Sequence, residues 1–138
     1  METEATKTKV WNPLIIGIVA FIPDYTIGAV LAAINAHRLK ETGKRNLYLL
    51  VSLPYMLVFW LGAIFTMEAW FAALSFLVRA GLGYWLYTDA KKILEKHAPE
   101  NLEDEKLGRL LIIGAGFVGV TLLCYFVFMI LMFTFNSQ

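Results

Sequence analysis

The chain has 138 residues, of which 59% are hydrophobic and only 17% charged, with a formal net charge of +1 and a mean hydropathy of +0.63. So little polar surface does not suffice to wrap an ordinary water-soluble core, and basic residues gathered in two segments, without a stripe of interleaved aromatics, exclude a nucleic-acid surface. The single cysteine, Cys124, excludes an intrachain disulfide and reads as a buried thiol.

Lys7 and Lys9 precede an apolar stretch from Leu14 to Ile22, the outline of a secretory signal. The stretch runs on into Pro23-Asp24 and more apolar residues without a small-x-small cleavage site, so it reads as part of a helix. A bilayer helix needs about 20 mostly apolar residues. Four segments reach that length, at about 13–36, 47–67, 69–88 and 109–135. They predict an all-α, polytopic membrane protein in which a four-transmembrane-helix antiparallel bundle forms one domain over residues 1–138. Only Glu68 divides the second span from the third, but an unbroken helix across both would run to about 60 Å, twice the hydrocarbon thickness.

Loop 37–46 carries Arg38, Lys40, Lys44 and Arg45, while loop 89–108 and its far edge carry Lys91, Lys92, Lys96, Lys106 and Arg109. Only Lys7 and Lys9 oppose them, which predicts cytoplasmic loops and both termini on the non-cytoplasmic side of a multi-pass protein, in a prokaryotic plasma membrane. Trp11 and Trp70 then fall at the outer interface, and Tyr48, Tyr84, Trp85 and Tyr87 at the inner one. The third helix is expected to extend past Asp89 until Pro99 stops it. Asn101 with Asp104 resembles a helix start, placing the fourth helix from near Leu102 with Glu103, Asp104 and Glu105 in its first turn.

Two charges lie inside the expected spans. Asp24 and Arg79 each sit about 15 Å below the outer surface of the core at 1.5 Å per residue, and lone charges at that depth pair. An Asp24–Arg79 ion pair is therefore expected, either structural or part of a pathway in which Asp24 titrates and Glu68 forms the outer entrance. Pro23 is expected to kink the first helix and free the Val19 carbonyl to accept from Arg79 or water. Helical spacing assigns Gly28 and Ala32 to the face of Asp24 and Gly83 to the face of Arg79, with Gly108, Ala115 and Gly119 forming another small-residue packing face.

The run Gly114-Ala115-Gly116-Phe117-Val118-Gly119 matches a dinucleotide fingerprint, but only 19 residues follow it, with no acidic residue and no room for the next strand. His37 and His97 lack companion ligands, so no metal and no cofactor are implied, and no nucleophile–base set is spaced for catalysis.

The stretch from Gly28 through Ala32, Asn35 and His37 to Arg38-Leu39, followed by a basic loop, resembles the first-helix ending of small, largely uncharacterised prokaryotic four-helix integral membrane proteins. The resemblance implies a helical hairpin with Asn35 and Arg38 at the inner interface, and brings no activity with it. The sequence thus predicts a non-enzymatic membrane component acting through association, as a homo-oligomer or an accessory subunit of a larger complex. Its partners are expected to be the lipid bilayer and either itself or another membrane protein, with no nucleic acid. The alternative is a small channel or transporter for a proton, ion or small solute, with Asp24 and Arg79 on its path.

Overall fold

The computed structural model describes residues 7–22, 24–65, 69–97 and 102–136, without the side chains of 60, 63–65, 69, 121, 124, 125, 128, 129, 131–133, 135 and 136. Pro23, Glu68, Pro99 and Asn101 lie outside the described residues, as does the Cys124 side chain. In chain order the elements are β1 (Thr8–Val10), α1 (Pro13–Phe21), α2 (Tyr25–Arg38), α3 (Thr42–Phe65), α4 (Ala69–Lys96), β2 (Leu102–Asp104) and α5 (Leu107–Asn136). They fall into two units, residues 1–105 and 106–138.

Among the described residues, no helix is long and apolar enough to cross a membrane. The expected four-transmembrane-helix bundle, its sidedness and its multi-pass membrane placement are corrected accordingly. The clearest physical reason lies in the first expected span, which is two helices. α1 has 9 residues and α2 has 14, so at 1.5 Å per residue they measure about 14 and 21 Å against a core of about 30 Å. α3 takes Lys44 and Arg45 into its first turns, and α4 carries Arg79 in its middle and Asp89, Lys91, Lys92, Glu95 and Lys96 toward its end.

Local chemistry explains the break. Asn12 caps α1 by accepting from the Leu14 N–H at 2.9 Å, and Pro13 follows at the first helical position, where a missing N–H costs nothing. Asp24 is extended (φ −166°, ψ 141°) and its Oδ1 accepts from the Thr26 N–H at 2.7 Å, so it starts a new helix rather than sitting inside one. The Val19 carbonyl, expected to await Arg79 or water, accepts from the Asp24 N–H at 3.4 Å.

α2 is the centre of the first unit, packed against α1, α3, α4 and β1. Its buried residues include Tyr25, Ile27, Ala29, Leu31, Ala32, Ala33 and Ala36, an all-round apolar surface suited to a helix enclosed by neighbours. The many small residues let those neighbours approach. A Cβ on Gly28 would collide with Ala20 of α1, and one on Gly83 would stand 3.3 Å from the Gly17 carbonyl, so α1 sits close to both α2 and α4.

α2 ends in a Schellman arrangement, with Glu41 N–H donating to Ala36 O at 2.7 Å and Lys40 N–H to His37 O at 3.1 Å. Lys40 occupies the left-handed position (φ 60°). The fourth helix begins at Leu107 rather than near Leu102, because Leu102–Asp104 pairs in parallel with β1, Thr8 opposite Leu102 and Val10 opposite Asp104. α5 is one continuous helix through the glycine-rich fingerprint. Two expected interfacial aromatics are also corrected: Trp11 and Tyr48 are buried.

Candidate functional site

The most heavily functionalised part of the first unit lies where the start of α2 meets α3 and α4. Heptad-like spacing on α3 turns Tyr48, Ser52 and Tyr55 to one side, and all three are buried. The Tyr55 ring meets the Tyr25 ring edge-on at 5.0 Å between centroids and leans on Phe59 at 4.8 Å. Burial pushes the Tyr55 hydroxyl up from its ordinary pKa, the Asp24 carboxylate pushes it further, and Arg79 and a hydrogen bond with Ser75 pull it back. Asp24 from α2, Ser75 and Arg79 from α4, and Tyr55 from α3 are thus gathered around one phenolic group. Tyr25, fully enclosed, is raised by burial and then by Tyr55.

Tyr25, Tyr55 and Tyr48, the last raised by burial and by Asp89, keep their protons near neutrality, the reverse of what a nucleophile or general base requires. Among the described residues, no group of three or more His, Cys, Asp and Glu side chains comes together to hold a metal ion.

A second polar node lies along the same helices. Lys44 Nζ donates to both oxygens of Asp89, at 2.7 and 2.9 Å, and the Tyr48 hydroxyl donates to Asp89 Oδ2 at 2.7 Å. Burial pushes the Asp89 carboxyl up, but the hydrogen bonds from Lys44 and Tyr48 and the charges of Lys44 and Lys92 outweigh it and hold the group below its ordinary value. Nearby, Lys96 pairs with Glu41 at 2.5 Å. A third node closes on the small sheet: Arg38 Nη1 donates to Lys9 O and to Glu105 Oε2, both at 2.7 Å.

Of the residues singled out from sequence, Gly28, Ala32 and Gly83 lie inside helix contacts of the first unit. In the second unit, Ala115 is exposed and a Cβ at Gly108 or Gly119 would meet nothing within 4 Å. Tyr25, Tyr55, Asp89 and the Arg38–Glu105 pair were not anticipated. The repeated tyrosines at 48 and 55, seven apart on one helix face, were the available signal for Tyr55. A shallow apolar groove of about 320 Å³ between α1 and α4 is floored by Gly17 and Gly83 and flanked by Phe21, Tyr84 and Tyr87. No family model, curated protein or solved structure matches the chain.

Proposed function

We propose that the chain is a non-enzymatic component that acts through association, as a homo-oligomer or as a subunit of a larger complex. The observation that carries this reading is the row of large apolar side chains left exposed on successive turns. On α3 they are Leu50, Leu53, Leu57 and Leu61, and on α4 they are Trp70, Leu74 and Leu77. Contiguous exposed apolar surface marks a face that another macromolecule covers, whereas the Asp89 and Arg38–Glu105 nodes are taken up by internal bonds.

The test is mass measurement by light scattering on the full chain purified in mild detergent, with identification of anything that copurifies. Oligomers, or a stoichiometric second protein, are the expected result. A single copy with no partner across a wide concentration range overturns the reading, as does a single copy that partitions quantitatively into lipid vesicles.

A further inference from the structure

On α4, Trp70, Leu74, Leu77, Gly81 and Tyr84 recur at alternating steps of four and three residues, the spacing that keeps a seam in line when helices pack lengthwise. Trp70 is 57% exposed, Leu74 44%, Leu77 68% and Tyr84 70%, and a Cβ at Gly81 would meet nothing within 4 Å. The inward side of the same helix is taken by Gly83, Leu86, Ala90 and Ile93, which are buried. Arg79 falls about 200° round the helix from Leu77, so the seam carries no charge.

We infer that this seam docks a second copy of the chain, α4 against α4 antiparallel, about a two-fold axis at Leu77. The inference rests on the association reading above. In a two-fold pair, positions equidistant from the axis face each other. Leu77 meets its own copy, and Trp70 meets Tyr84 at both ends as an aromatic pair. Leu74 and Gly81, three and four residues from the axis on opposite sides, come together within one residue of stagger, so the Leu74 side chain enters the space that Gly81 leaves open. Large side chain on small, aromatic on aromatic and no charge anywhere make the row complementary to itself. Covering these side chains on two copies removes roughly 1,000–1,200 Å² from solvent, which reaches the ~1,000 Å² of a specific interface.

The test uses the full chain with Cys124→Ala, so that an introduced thiol is the only one. Oxidation is expected to join Leu77→Cys chains to one another, and Trp70→Cys chains to Tyr84→Cys chains in a mixture, but not to join Leu57→Cys chains through the exposed row of α3. Gly81→Leu fills the open space with a better helix former, so the folding midpoint measured at concentrations where the chain is a single copy is expected to hold or rise while the dimer dissociation constant rises at least tenfold. If light scattering shows a dimer but the thiol at 57 links and the thiol at 77 does not, this inference fails and association stands. A dimer unaffected by Gly81→Leu also overturns the inference. A chain that is a single copy at all concentrations overturns both.

Discussion

The Asn35 side-chain amide holds both backbone polar groups of Trp11: its Oδ1 accepts from the Trp11 N–H at 2.7 Å and its Nδ2 donates to the Trp11 carbonyl at 2.8 Å. This pairing fixes the exit of β1 against α2, in a setting where Asn35 is 2% exposed and Trp11 1%. Asn35→Ala leaves a buried donor and a buried acceptor unsatisfied, so a loss of about 2–4 kcal/mol is expected. Asn35→Asp keeps the acceptor but brings a buried charge and a carbonyl without its donor, and is expected to be at least as damaging. Denaturant unfolding of both variants measures this, and a cost below about 1 kcal/mol for the alanine would show that water replaces the clamp.

Lys40 pays the steric cost of the left-handed region at φ 60° while completing the Schellman turn after α2. A glycine adopts that conformation without a Cβ clash, so Lys40→Gly is expected to stabilise the chain by up to about 1 kcal/mol even though glycine enlarges the entropy of the unfolded state. A rise in thermal midpoint is the readout. Lys40→Ala, which retains the Cβ, should give no comparable rise.

Asp24 is both the cap of α2 and a charge directed, with Arg79, at Tyr55. Substitutions separate the two roles. Asp24→Ala removes the cap and is expected to cost about 1 kcal/mol, whereas Asp24→Asn keeps a cap oxygen and loses only the charge. A double-mutant cycle of Asp24→Asn with Arg79→Gln is expected to give a coupling above about 0.5 kcal/mol. Strict additivity would leave Asp24 as a cap alone.

The positions of the long helices were legible because continuous apolar runs of helix length leave few alternatives: α3, α4 and α5 start and end within a few residues of the runs that predict them, and the polar extension expected beyond Asp89 carries α4 to Lys96. The break in the first run was also written there, as Pro23-Asp24, but a proline followed by aspartate reads equally as a kink with an embedded charge when apolar residues continue on both sides. What decides between them is the cap bond to Thr26, a matter of geometry. Pairing across long separations was not legible. β1 and β2 are three residues each and meet in parallel, and Tyr48 finds Asp89 across 41 positions. Neither leaves a periodic trace. Apolar composition was read as lipid contact, while part of it is spent enclosing α2.

On the acid side, Asp89 connects the second node to pH. Its carboxyl is held below the ordinary value of 3.8 in the folded chain, so the stability it contributes is complete above the unfolded value and disappears as pH falls through the folded one. Wild type is expected to be more stable than Asp89→Asn at neutral pH, with the gap narrowing below about pH 4. Chemical denaturation at pH 7, 4 and 3 measures it; a gap that does not change with pH would assign the effect to hydrogen bonding by either side chain and not to the charge.

Tyr25 and Tyr48 make the opposite pair. Both are fully enclosed, yet the Tyr48 hydroxyl donates to Asp89 at 2.7 Å while the Tyr25 hydroxyl has no hydrogen-bond partner among the described residues. Tyr48→Phe deprives a carboxylate of a donor and is expected to cost about 2 kcal/mol, while Tyr25→Phe removes an unsatisfied polar atom and is expected to be neutral or to stabilise by up to about 1 kcal/mol. Alkaline pH tests the same placement. Burial raises both phenols above their ordinary value of 10.0, and the Asp89 contacts add to the rise at Tyr48. An acid raised in the folded state contributes stability that is complete below its unfolded value and is lost as pH climbs from there toward the folded one, because only the unfolded chain then releases the proton. Stability is therefore expected to fall steeply above about pH 10, and each phenylalanine variant should flatten that fall. If Tyr25→Phe proves as costly at pH 7 as Tyr48→Phe, the Tyr25 hydroxyl is bonded in solution and its enclosure is not the reason for its raised pKa.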